Sequence, residues 1–137
     1  GRKVLDLFAG SGQLGIEALS RGAALCVFVD NSKASLDAVQ KNIAVCNLRE
    51  RSRVISSDFK SFLCGKTEKF DIVFLDPPYH KGLIDEAMQY LPECMSEAGI
   101  IVCEYATDES LNDSYGDFVR TKEYRYGKVG ASVYRRG

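Results

Sequence analysis

The sequence is short of histidine: His80 is the only one. A zinc centre draws on His and Cys ligands at set spacings. The five cysteines do not supply them, because their number is odd and no pair stands as CxxC. Cys26, in Cys26-Val27-Phe28-Val29, and Cys103, after Val102, sit in apolar surroundings, as reduced, buried thiols do in a cytoplasmic protein. No apolar run approaches the roughly 18 residues of a membrane span. There is no low-complexity tract and no short repeat. The chain opens Gly1-Arg2-Lys3 and goes straight into an apolar stretch, so no signal peptide is expected. Basic charge is not in excess either: 18 Lys and Arg face 19 Asp and Glu, for a net charge of −1. That balance argues against a domain that grips nucleic acid by charge alone. Arg49, Arg51 and Arg53 do cluster, as do Arg120, Lys122, Arg125, Lys128, Arg135 and Arg136; both groups read first as solvated surface.

What is present is an alternation of apolar runs with helix-like stretches, within the 137 residues of a single domain. Strands are predicted at 4–8, 25–29, 53–55, 72–75 and 100–103, and helices at 14–20, 33–46, 60–64 and 83–91. In the second of these helices Leu36, Val39, Ile43 and Cys46 share one face. Continuous apolar strands are buried on both faces, as in a parallel sheet covered by helices. The tail differs. Val129, Ala131 and Val133 alternate with polar or small residues after Gly127, which predicts an antiparallel hairpin closing the sheet edge. The fold class is therefore α/β, doubly wound, mostly parallel, with a C-terminal hairpin. In that architecture strand 1 lies beside strand 4, about 4.8 Å away, and the ligand crevice opens at this switch point.

After strand 1 comes Asp6-Leu7-Phe8-Ala9-Gly10-Ser11-Gly12-Gln13-Leu14-Gly15. Gly10, Gly12 and Gly15 match G-x-G-x-x-G between a strand and a helix. Asp30 ends strand 2, and a carboxylate there can accept from both ribose hydroxyls. A nucleoside-type cofactor is indicated, with Phe8, Ser11 and Asn31 in the same two loops. A nicotinamide dinucleotide is one reading. Asp6 would repel its pyrophosphate, whereas it suits the ammonium and sulfonium of S-adenosylmethionine; it can equally hydrogen-bond the Gly-rich loop. Asp58 and Phe59 follow strand 3. They can meet an adenine, or Asp58 can cap the short helix that follows.

Asp76-Pro77-Pro78-Tyr79, after strand 4, is the most specific feature. Two prolines hold the backbone extended and offer carbonyls without competing N–H groups. Tyr79 offers a face on which a base can stack. An exocyclic amino group is a poor nucleophile, since its lone pair is delocalised into the ring. Accepting its N–H bonds at Asp76 and at the Pro77 carbonyl favours a pyramidal nitrogen, so catalysis is positioning plus preorganised electrostatics.

The residues from Asp6 to Ala23 resemble the first motif of bacterial 16S rRNA guanine-N2 methyltransferases, and Phe70 to Tyr79 resembles their catalytic motif. Tyr126-Gly127 and Val133-Tyr134 are similar to their closing hairpin. The resemblance implies the class I methyltransferase fold, Rossmann-like, with a seven-stranded sheet. It implies S-adenosylmethionine as donor, S-adenosylhomocysteine as product, no metal, and guanine of small-subunit rRNA as target, handled by a monomer. Asp6, Gly10 and Gly12 would line the methionine end, Asp30 the ribose, Asp58 the adenine, and Asp76 to Tyr79 the base. Members of that family carry a basic N-terminal segment before strand 1, which this chain is expected to lack. The Asp-Pro-Pro-Tyr motif also occurs in adenine-N6 DNA methyltransferases, so that reading stays open. An oxidoreductase or a non-catalytic cofactor-binding module stays open too. His80 reads as a solvent-exposed loop residue.

Overall fold

In the computed structural model, which describes residues 1–64 and 68–137, a single eight-stranded sheet runs through the molecule in the order β3-β2-β1-β4-β5-β8-β7-β6. The strands are β1 (Lys3–Leu7), β2 (Leu25–Asp30), β3 (Ser52–Ser56), β4 (Phe70–Leu75), β5 (Met95–Ala106), β6 (Ser114–Tyr115), β7 (Phe118–Tyr126) and β8 (Val129–Arg136). The helices are α1 (Gln13–Ser20), α2 (Lys33–Val45), α3 (Phe59–Leu63) and α4 (Leu83–Ala87). β1 to β5 are parallel neighbours, and β8 runs antiparallel to β5.

The apolar runs do what an interior parallel strand requires: they bury residues on both faces. Leu5, Leu7, Val27, Val29, Val73 and Leu75 enter one core with Ile84, Met88 and Leu91. Val4, Cys26 and Phe28 enter the other with Leu19, Val39 and Ile43 of α1 and α2. The second core depends on close approach of α1 to β2. Gly15 makes that approach possible, since a Cβ there would collide with the Phe28 ring and the Cys26 sulfur.

Several element boundaries differ from the sequence expectation. The helix expected over 83–91 stops at Ala87 and gives way to a separate 3-10 turn, Leu91–Cys94. Pro92 lies at the start of that turn; it has no N–H to donate and disfavours helical backbone in the residue before it. β5 begins at Met95, five residues before Ile100, and polar Ser96 and Glu97 hide that start from the apolar pattern. The C-terminal hairpin exists, but its second strand is inserted between β5 and β7, so β7 and the two-residue β6 form the edge. That short strand makes eight strands where the resemblance implied seven.

Replacing Gly15 by alanine is expected to force α1 away from Phe28. Overpacking of this kind costs about 1–3 kcal/mol, which urea unfolding at constant pH will register as a lower midpoint with an unchanged slope. A midpoint at the wild-type value would show that α1 is not held at van der Waals distance from β2.

Candidate functional site

The carboxyl ends of β1 to β4 meet around a cavity of about 700 Å³, within the usual range for ligand sites. Leu7 of β1 lies opposite Val29 of β2 and Leu75 of β4. The next residues out of the three strands, Phe8, Asp30 and Asp76, therefore leave side by side, and all three line the cavity. Gly10, Asn31, Asp58, Phe59, Pro77, Pro78 and Tyr79 line it as well.

The loop after β1 is built by two carboxylates. Asp30 accepts the Gly10 N–H at 2.9 Å through one oxygen and the Ser32 N–H at 2.9 Å through the other. Each oxygen keeps a lone pair for a further donor. Asp6 lies beneath the loop, only 1% exposed, and accepts the Gly15 N–H at 3.0 Å. It does not line the cavity, and its hydrogen bond holds the loop. Ser11 and Gly12 also stand outside the cavity wall. Ser11 presents its carbonyl to the Asn42 amide at 2.9 Å. Gly12 takes φ of +83°, and a Cβ there would run into Val39 and Phe28. Phe8 adopts φ of +67°, a conformation costing a non-glycine residue about 1–2 kcal/mol. Its ring meets that of Phe59, centroids 5.2 Å apart, and the pair forms an apolar wall.

Asp58 caps α3, accepting the Ser61 N–H at 2.9 Å and the Ser61 hydroxyl at 2.8 Å. These bonds hold its carboxyl below the usual range, so it stays an anion and an acceptor at the cavity edge. Asp76 goes the other way. Desolvation, reinforced by the negative charge of Glu104, raises its pKa to about 6. Pro77 is buried, while Tyr79 is 37% exposed and offers an uncovered ring. The loop carrying these residues is clasped at its far end. His80 places Nε2 2.7 Å from Asp108 Oδ1 and donates its backbone N–H to Glu109 at 2.9 Å. Glu109 in turn accepts the Ala106 N–H at 2.8 Å. His80 is exposed, as expected of it, but it ties the β4 loop to the end of β5.

Sequence reasoning missed this clasp, which joins residues 28 and 29 positions apart. It also missed Glu104. The available signal was a charge interrupting the apolar run of β5 at its carboxyl end, the same signal that drew attention to Asp6 and Asp76.

The donors and acceptors fit S-adenosylmethionine. Carboxylates at Asp30 and Asp58 suit a ribose and an adenine amino group, and the Phe8–Phe59 wall suits an apolar ring. A dinucleotide would bring two phosphates against these carboxyl groups. Among the described residues no group of His, Cys, Asp and Glu is arranged to hold a metal ion, and no helix is long and apolar enough to cross a membrane.

Comparison with known proteins finds a family and methyltransferase relatives. The family model described as "Conserved hypothetical protein 95" matches residues 1–135. Ribosomal RNA small subunit methyltransferase D of Escherichia coli strain K12 is 34% identical over 134 residues, covering 96% of this chain and 67% of the relative. A solved structure of a conserved hypothetical protein from Streptococcus pyogenes superposes with a TM-score of 0.94 at 34% identity, over 100% of this chain and 87% of that one. Ribosomal protein L11 methylase from Lactobacillus delbrueckii subsp. bulgaricus shares the fold, with a TM-score of 0.82 at 22% identity over 98% of this chain and 70% of that one.

A carboxyl whose pKa is higher in the folded chain binds its proton more tightly there. For Asp6, raised by burial from 3.8 to about 7, the stabilising contribution is complete below the lower value and lost as pH rises through the upper one. Wild-type stability is therefore expected to fall between about pH 4 and about pH 7. Asp6→Asn keeps an acceptor for Gly15 and cannot titrate, so it should flatten the upper part of that fall in urea unfolding. An identical pH profile in the variant would show that Asp6 does not titrate in this window.

Proposed function

This chain belongs to the family described as Conserved hypothetical protein 95, and from that membership and the methyltransferases it matches we propose that it moves a methyl group from S-adenosylmethionine to the exocyclic N2 of a guanine in small-subunit rRNA. One observation carries the reading: the loop after β1 and the Asp-Pro-Pro-Tyr loop after β4 are walls of the same cavity. A cofactor held by the first loop would share that cavity with the acceptors on the second.

When bound, S-adenosylmethionine supplies an electrophilic methyl group on a sulfonium. The rest is the work of the chain. Asp30 accepts from the ribose hydroxyls, and Asp58 accepts from the adenine amino group with Phe59 and Phe8 against the ring. Asp6 acts through the loop that it holds. The target base leaves its stack and lies against Tyr79, whose ring is partly open to solvent. Its amino group donates one N–H to Asp76 and one to the Pro77 carbonyl, which turns the nitrogen lone pair toward the methyl group. With a pKa of about 6, Asp76 is far too weak a base to deprotonate a neutral amino group. It takes up a proton only once the nitrogen has become cationic. The protein acts as a monomer on RNA in the small subunit or its assembly intermediate.

Labelled S-adenosylmethionine with 30S particles or naked 16S rRNA tests the activity. Label recovered as N2-methylguanosine is expected; label in N6-methyladenosine would replace guanine with adenine as the target, and no label from a folded protein would count against the reading. Asp76→Ala is expected to lower turnover by about 10²-fold or more, in line with loss of a preorganised electrostatic group. S-adenosylhomocysteine binding measured by calorimetry should survive that change. Turnover at the wild-type rate would remove Asp76 from the mechanism.

A further inference from the structure

The β4–β5 register places a second carboxylate beside Asp76. Leu75 lies opposite Cys103, so the residues that follow, Asp76 and Glu104, are neighbours on the same face of the sheet. Glu104 stands one strand further from the Gly-rich loop than Asp76, on the substrate side, and is not part of the cavity wall that the cofactor would fill. On its other flank is the small residue Ala131 of β8. Glu104 is half-buried, and its carboxylate makes no hydrogen bond or ion pair with any described residue. The acids nearer the cofactor end are all engaged: Asp6 by Gly15, Asp30 by Gly10 and Ser32, Asp58 by Ser61. Glu104 also acts electrostatically on the two groups that would hold the base, since its charge raises the pKa of both Asp76 and Tyr79.

A half-buried, unpaired carboxylate next to a second one is unfavourable in the free protein. A donor brought by the substrate offsets that cost. Guanine carries its N1–H next to its N2 amino group on one edge, so it presents donors to two adjacent acceptors. Adenine presents an unprotonated nitrogen at N1, which a carboxylate repels. On the reading proposed above, we infer that Glu104 is a specificity-determining residue: its carboxylate accepts the N1–H of the target guanine while Asp76 and the Pro77 carbonyl hold the N2 amino group. A site built around such a hydrogen bond rejects a base that cannot donate it.

The test uses 16S rRNA rebuilt by splinted ligation around the position that the wild-type protein labels. That position carries either guanine or 2-aminopurine, which keeps the exocyclic amino group but has no N1–H. A hydrogen bond to a charged partner corresponds to about a 10- to 100-fold preference, so wild-type kcat/KM should favour guanine by that factor. In Glu104→Ala the preference should collapse to about one, because guanine turnover falls and 2-aminopurine turnover does not. Glu104→Gln keeps the size of the side chain and one acceptor oxygen and should show an intermediate preference. Unchanged S-adenosylhomocysteine affinity in both variants shows that the fold is retained; a structural role for Glu104 would lower turnover of both bases alike. Variants that keep the wild-type preference, or that lose both substrates equally, overturn the inference while leaving the activity standing. A wild-type protein that labels no guanine N2 overturns the activity and the inference with it.

Discussion

The pairing of β1 with β4 is the constraint on which the site depends. The chain winds outward from β1 through β2 to β3, then returns to place β4 on the other side of β1. The loops that leave β1 and β4 at their carboxyl ends run to opposite sides of this pair, β1 leading to β2 and β4 to β5, and so leave a crevice between them. Because Leu7 is level with Leu75, Phe8 and Asp76 emerge at the same height. A shift of one residue in that register would turn Asp76 to the opposite face, into the core that holds Leu75 and Cys103. The buried aliphatic residues of both strands oppose such a slip, and in this way packing in the middle of the sheet sets the geometry at its edge.

Around this crevice the same functional group is used in different electrostatic settings. Asp58 is an exposed cap that its bonds to Ser61 keep charged. Asp30 divides its two oxygens between two backbone N–H groups and still faces the cavity. Asp6 is buried, and desolvation outweighs its one hydrogen bond, so it is partly protonated near neutrality. Asp76 is half-buried beside Glu104 and is raised less. Asp58, which stays charged, thus lies by β3, where the cofactor's amino group would sit, and the acids closer to neutrality, Asp6 and Asp76, lie beneath the loop and toward the substrate.

The fold was legible where the sequence pattern is local. Five parallel strands and the doubly wound order follow from continuous apolar runs separated by helical spacing, and the structure has them. Glycines at positions 10, 12 and 15 marked a loop that needs positive φ at Gly10 and Gly12 and close packing at Gly15. Ends of elements were less legible, because Pro92 and the polar start of β5 act through backbone geometry and pairing that the apolar pattern does not report. Within the site, the joint placement of Phe8, Asp30, Asp58 and the Asp-Pro-Pro-Tyr loop could be anticipated from topology. The role of Asp6 could not be decided from composition, since holding the loop and facing a cation both ask for a carboxylate at that position. The His80–Asp108 contact and the pairing of Asp76 with Glu104 depend on the spatial meeting of β4 and β5, for which nothing in the sequence gives the register.

A crystal structure of the chain with S-adenosylhomocysteine decides whether the β1 and β4 loops enclose one ligand. The adenosine is expected between Phe59 and Asp30, with the sulfur at the open end of the Gly10 loop, turned toward Asp76 and Pro77. A ligand bound elsewhere, or one whose sulfur points away from Asp76, would contradict it.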